Sequence, residues 1–401
     1  MGRPLNPPSR YMWQLDTLRA VAAGMVIFSH WVPGTDTFWF NGHVGVQLFF
    51  VISGFLITGI LLDARKNAER RDIRRSVVIR RFYMRRLLRI FPLYYGTLAL
   101  TYLVGVPAVR TSIQWHLPYL SNVFFAMRGE WYGEVAHFWS LAVEEQFYCF
   151  WPWLIMFAPQ RLLLPLVMVG MLSAPLFRWI AGQVVGIDEI GLMVMPLASL
   201  DTLGIGALFA LLQRMEDRSR DPGALATRLA MWVGIGGVTV FTSAHLIARA
   251  FGSQGLIRAL GECMLAPAAL GLVYMTARGI DGPIGRLLQW GPLVHLGKIS
   301  YGLYVLHFFV PMITRRAMAW GGVSMTDSMG PVASFVLNLL VLVILSSLSW
   351  HFFEMKINDF KKYFPYVPPE RPHGTYATAA SGSPSAHAAP GEAALDRTAA
   401  R

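Results

Sequence analysis

Apolar runs of about twenty residues recur along the chain between short polar stretches, a spacing that predicts membrane-crossing helices. About ten such spans are read, near 12–32, 44–62, 87–105, 137–158, 162–181, 190–212, 229–248, 257–277, 296–317 and 331–353. The first is interrupted in a regular way. Leu18 to Trp31 is mostly Ala, Val, Gly, Ile and Phe, yet the span carries Asp16, Arg19 and His30. At about 100° per residue, Arg19 and His30 return to within roughly 20° of one helical face, with Asp16 about 40° from the His30 direction. Ionisable groups aligned inside a span face a cavity, a partner or a reaction rather than lipid.

Composition agrees with that pattern. With 54% hydrophobic and 14% charged residues and a mean hydropathy of +0.44, the chain is too apolar for an ordinary soluble domain. No small-residue cleavage site follows the first run, so it is expected to remain as a helix. Cys149 and Cys263 fall in predicted spans, which argues against a disulfide framework or a thiolate metal site. The net charge of +12 is read as topogenic, with no nucleic-acid partner. Alternating the spans places both termini, 63–89, 159–161, 213–228 and 278–298 on one side. That side carries about 27 of the 35 Lys and Arg, which predicts that both termini are cytoplasmic.

The resulting fold class is all-α: a polytopic membrane protein of about ten transmembrane helices with no soluble catalytic domain. Residues 1–11 form a cytoplasmic tail and 12–355 the transmembrane domain. Residues 356–401 form a second cytoplasmic tail, disordered after about 370, where Ala, Ser, Gly and Pro dominate.

Several further polar groups sit where lipid would penalise them. Gly45 to Leu56 opens the second span, with Ser53-Gly54 suited to close helix contact. Residues 65–89 hold eleven basic side chains, and Arg81, Arg85 and Arg89 recur at spacing four. The loop reads either as topogenic or as a ridge for phosphates, with Arg86 beside it. The fourth span begins His137-Phe-Trp139-Ser140 and continues to Glu144, Glu145 and Tyr148. Its carboxylates are either part of an interhelix network or face a site. Asp201 is ambiguous in the same way. In the ninth span Ser300, Tyr304 and His307 share a face. His30, His137 and His307 lack a metal-ligand spacing such as a helical pair at i, i+4, so no metal is expected.

In this order the motifs resemble those of the acyltransferase family 3 membrane proteins. The resemblance rests on Leu15-Asp-Thr-Leu-Arg19 with ten residues to His30, Gly45 to Leu56, Arg85 to Pro92, Trp139 to Tyr148 and Ser300 to His307, across roughly 11–355. Gln47 departs from the pattern, since many relatives carry Asp after Gly-Val. The resemblance implies transfer of an acyl group, usually acetyl, from cytoplasmic acyl-CoA to a hydroxyl of a saccharide or glycosylated acceptor, at a bacterial inner membrane. Some relatives append a further helix and a soluble hydrolase-like domain. This chain carries none, so transfer is expected to be completed within the bundle.

That chemistry needs a base for the hydroxyl and a cation for the donor. His30 is the natural base, because an ordinary imidazole titrates near working pH. Arg19 is assigned to donor phosphate or carbonyl, Asp16 to orienting Arg19 through a salt bridge, and Glu144 to orienting His30 or the acceptor. Arg85, Arg86, Arg89 and Tyr301 complete the expected acetyl-CoA contacts; Ser140, Trp139 and His307 are assigned to the acceptor. Two rival readings stand: the same chemistry on a small acceptor such as a macrolide, and a transporter whose intramembrane charges relay protons.

Overall fold

The structure, a computed structural model, describes residues 11–32, 34, 42–216, 224–251, 255–321 and 329–366; the assigned tail after about 370 lies outside them. The described residues hold helices and no strands. Long helices come first: α1 (Trp13–Trp31), α2 (Gly42–Arg70) and α3 (Arg75–Leu103). Short α4 (Pro107–His116) and α5 (Ser121–Arg128) precede α6 (Phe138–Phe157) and α7 (Gln160–Ile180). Next come α8 (Glu189–Val194), α9 (Leu200–Glu216), α10 (Ala224–Phe251) and α11 (Gly255–Arg278). The chain then runs through α12 (Gly282–Leu288), α13 (Gly291–Lys298), α14 (Ser300–Leu306), α15 (Val310–Trp320), α16 (Pro331–Ser349) and α17 (Met355–Asn358).

Among the described residues, four helical stretches are long and apolar enough to cross a membrane by length and composition: Gly42–Arg70, Gln160–Val185, Pro196–Met215 and Pro331–Tyr363. α1, α3 and α6 carry the ionisable groups singled out above, which lower their apolar character. Two expected spans are not continuous. The 190–212 stretch divides at Pro196 into α8 and α9. The 296–317 stretch divides into α13, α14 and α15, with a turn at 307–309. Pro311 explains the second break: its ring clashes with the carbonyl four residues earlier, that of His307, and it has no N–H to donate.

Close contact of α2 with α9 depends on small residues. A Cβ on Gly54 would collide with the Leu203 carbonyl oxygen, and one on Gly206 with that of Val51. Two helices can approach this way when glycine leaves backbone against backbone, as expected for Ser53-Gly54. Asp201 on α9 pairs with Arg178 on α7 at 2.6 Å, so it is an interhelix tie.

Several segments expected on one side of the membrane are tied to one another or to helix ends. Arg65, buried on α2, donates to the Ile155 and Ala158 carbonyls at the end of α6 (2.6 and 2.8 Å). Arg214 at the end of α9 pairs with Asp63 at 2.7 Å. Arg85 near the start of α3 donates to the Lys361 carbonyl at 2.9 Å. The Gln14 side chain exchanges two hydrogen bonds with the Ile280 backbone (2.8 and 2.7 Å).

Candidate functional site

Two polar constellations occupy opposite ends of α1. Because α1 is an unbroken helix, the eleven residues from Arg19 to His30 span about 16 Å.

At the Arg19 end lies a cavity of about 80 Å³. Arg19 of α1, Ser53 of α2, Arg86 and Arg89 of α3, Ser140, Glu144, Glu145 and Tyr148 of α6, and Ser300, Tyr301 and Tyr304 of α14 line it. Phe49, Phe50, Val46 and Leu141 supply an apolar side. Among the described residues no carboxylate oxygen lies within 4.0 Å of the Arg19, Arg86 or Arg89 guanidinium groups. The three guanidinium groups outnumber the two carboxylates of the same cavity, Glu144 and Glu145, and with no ion pair formed they keep donors for an anion. The expected Asp16–Arg19 salt bridge is therefore not formed. Asp16 instead stands beside the Tyr11 hydroxyl, and its Oδ2 atom is buried without a hydrogen-bond partner.

Glu144 is held from two directions. The Tyr148 hydroxyl donates to its Oε1 at 2.8 Å, and the Ser53 hydroxyl donates to the same oxygen. These bonds hold its carboxylate on the cavity wall, and the hydrogen-bond partner of His30 is His307 rather than Glu144. Ser53, expected to serve close helix contact, also commits its hydroxyl to Glu144, a role that its place beside Gly54 does not signal. Glu145 follows one position on, and its Oε1 is buried without a partner. Tyr301 donates to the Ile90 carbonyl at 2.8 Å, tying α14 to α3 beside the arginines.

At the His30 end the broken ninth span supplies the partner. His30 Nδ1 and His307 Nε2 are 2.9 Å apart, with ring centroids at 5.1 Å and planes within 7°. The rings therefore meet edge to edge in a common plane. His307 Nδ1 lies 2.6 Å from the Tyr304 carbonyl oxygen. A carbonyl only accepts, so His307 carries its proton on Nδ1 and presents a lone pair at Nε2. His30 then donates from Nδ1, which leaves its Nε2 as the basic nitrogen. His307 is fully buried, so its assignment to the acceptor gives way: its ring is aimed at His30.

The helix break makes this possible, since a helix end leaves carbonyls in need of donors. The Tyr304 carbonyl takes His307, the Val305 carbonyl takes His137 Nε2 at 3.1 Å, and the His307 carbonyl takes Trp31 Nε1 at 3.1 Å. Tyr304 joins the two constellations. Its hydroxyl meets the Ser140 hydroxyl, and it also donates to the His137 carbonyl at 3.2 Å.

Two other expected site residues lie elsewhere. Trp139 is buried, edge-on to Phe50 at 6.2 Å, and packs in the core outside the cavity wall. Arg85 turns away from the cavity, donating to the Lys361 and Phe364 carbonyls (2.9 and 3.3 Å) and lying 4.8 Å over the Tyr366 ring. Gln47 makes only neutral bonds, to His43 at 3.1 Å and from Thr202 at 2.5 Å. Among the described residues no group of three or more His, Cys, Asp and Glu has the arrangement of a metal site.

An all-α polytopic membrane protein with a histidine pair and an arginine-lined cavity on one helix is the class this architecture defines. Residues 12–351 match the family model described as an acyltransferase domain, and the chain belongs to that family. It is similar to the O-acetyltransferase OatA of Staphylococcus aureus (26% identical, covering 90% of this chain and 60% of that protein). It is also similar to YrhL of Bacillus subtilis (30% identical, 87% and 55%) and to the peptidoglycan O-acetyltransferase OatA of Listeria monocytogenes (26% identical, 91% and 59%). The chain thus spans at most 60% of the length of these relatives. No solved structure matches it.

Proposed function

We propose that the chain is an integral-membrane O-acyltransferase that moves an acetyl or other short acyl group from acyl-CoA to a hydroxyl of a saccharide. The observation that carries this reading is the pairing, along one helix, of an anion-attracting arginine cavity with an oriented imidazole about 16 Å away. The names of the Staphylococcus and Listeria relatives support acetyl as the group, and that of the Listeria relative supports a cell-wall glycan as acceptor.

In this mechanism Arg19, Arg86 and Arg89 hold the donor's phosphates at the cytoplasmic mouth, and the pantetheine arm runs along α1 towards His30. His307 keeps His30 protonated on Nδ1, so that Nε2 receives the acceptor's proton as the hydroxyl oxygen bonds the acyl carbon. The imidazolium that forms is stabilised by a now charge-assisted bond to His307. The carbon–sulfur bond then breaks, and the CoA thiolate leaves with that proton. Glu144, held by Ser53 and Tyr148, sets the position of groups in the cavity. The ten-span topology, cytoplasmic termini and bacterial inner membrane belong to the same reading, since they put the arginine end on the side where CoA resides.

The test uses purified protein in lipid nanodiscs with labelled acetyl-CoA and a soluble glycan fragment. His30→Ala should retain CoA binding while transfer falls by about 10²–10⁴-fold, the usual loss for a general base. Arg19→Ala should weaken CoA binding as well. Undiminished transfer by a folded His30→Ala protein overturns the mechanism. Substrate uptake into liposomes without thioester cleavage would instead favour the transporter.

A further inference from the structure

One cation within electrostatic reach of two cavity arginines, Arg86 and Arg89, has no part in the mechanism above. After α16 the chain makes a π-helical turn (Trp350–Glu354), passes through α17 and a 3-10 turn (Asp359–Tyr363), and continues to Tyr366. The π turn inserts an extra residue into the helical repeat. Glu354, at its end, is buried and accepts from Ser349 at 2.9 Å. The following strap lies against α3. Arg85 clamps it by two backbone carbonyls, those of Lys361 and Phe364, and covers the Tyr366 ring at 4.8 Å.

The clamp fixes the backbone of Lys361, and its half-buried side chain lies within electrostatic reach of Arg85, Arg86 and Arg89. Glu354 is the carboxylate that faces this group. Arg19 and Asp16 also stand within reach of Arg89. Its neighbour Lys362 is exposed, as an unconstrained lysine would be. Holding an ammonium beside three guanidinium groups is unfavourable in a protein alone, because like charges at short range repel strongly away from bulk water. The arrangement becomes favourable when a polyanion enters. A diphosphate carries enough charge, and its oxygens can accept from several donors at once.

We propose that Lys361 is a phosphate ligand of the acyl donor, brought to Arg86 and Arg89 by a C-terminal strap that Arg85 anchors. This rests on the reading that the arginine cavity receives acyl-CoA. It also gives Arg85 a positioning role: the residue builds the site by holding the strap. An anionic lipid headgroup carries the same phosphate chemistry at a membrane surface, so the experiment separates the two sources.

CoA binding is measured by calorimetry on the full chain in nanodiscs of neutral phosphatidylcholine, across a salt series, with thermal melting to verify folding. Lys361→Met should raise the Kd for CoA by about tenfold or more and flatten its dependence on salt, because one charged contact is lost. Lys361→Arg should restore most of both. Arg85→Gln, which releases the strap, should reproduce the loss. Unchanged affinity and salt slope in folded Lys361→Met, with the parent binding CoA, overturns the role of Lys361 alone. Failure of the parent to bind CoA overturns the reading of the cavity. If Lys361→Met loses only retention of phosphatidylglycerol and keeps CoA affinity, the phosphate belongs to a lipid and the proposal falls.

Discussion

Replacing His307 with Phe keeps a flat ring in a fully buried position and removes both of its nitrogens. In the parent, His307 donates to the Tyr304 carbonyl (2.6 Å) and accepts from His30 Nδ1 (2.9 Å). The first bond fixes the tautomer of His307; the second fixes that of His30. In the proposed transfer His30 becomes an imidazolium, and the 2.9 Å bond changes from a neutral contact to a charge-assisted one. A hydrogen bond to a charged group contributes about 1.5–3 kcal/mol, which corresponds to about 10- to 150-fold in rate. Because that contribution arises as His30 takes up the proton, it should appear in kcat, with the KM for acetyl-CoA little changed. His307→Gln, which returns an acceptor oxygen to the same region, should recover part of the loss. The assay is release of CoA from acetyl-CoA in the presence of a glycan acceptor, with melting curves to establish folding. A folded His307→Phe protein with parental kcat would refute the relay, as would a loss confined to KM.

Two further outcomes follow from packing and burial. Gly54→Ala puts a methyl group into the Leu203 backbone, so α2 and α9 must separate; we expect destabilisation by about 1–3 kcal/mol or more, read as a lower melting temperature, while Gly24→Ala, where the added carbon meets nothing within 4 Å, should melt near the parent. His116, in the α4 segment that lies outside the spans expected from the sequence, donates from Nε2 to Ser112 at 3.0 Å, and burial pushes it down to about 4. Below about pH 6.5 the unfolded chain gains a proton there that the folded chain does not, so stability should fall as pH drops from 6.5 towards 4, by about 2 kcal/mol at pH 5. His116→Gln should flatten the melting temperature between pH 7.5 and 5; an unchanged slope would show that other groups set it.

Much of the architecture was already legible along the chain. Helical class follows from apolar run length, because a backbone without water must satisfy its own hydrogen bonds. The shared face of Arg19 and His30 follows from helical periodicity alone, since α1 is unbroken. The 63–89 segment, which is rich in basic residues, is joined to the C-terminal segment through Arg85 and the Lys361 carbonyl. Gly54 could be read as a contact point because its smallness is a local property.

Tertiary structure decided the partners. His30 could have been oriented by Glu144 or by another group, and sequence spacing holds no distance across 277 residues. The break at 307–309 turned His307 into that partner, and Pro311 was its visible signal. Whether Asp16 met Arg19 or Tyr11 depended on side-chain direction, which a helical wheel fixes only to within tens of degrees. Arg85, Arg86 and Arg89 look alike in a basic run, yet one clamps a strap and two line the cavity. Arg85 and Arg86 point about 100° apart, whereas Arg85 and Arg89 share a face but stand one turn, about 6 Å, apart along it, and only the packed neighbours determine what each one meets.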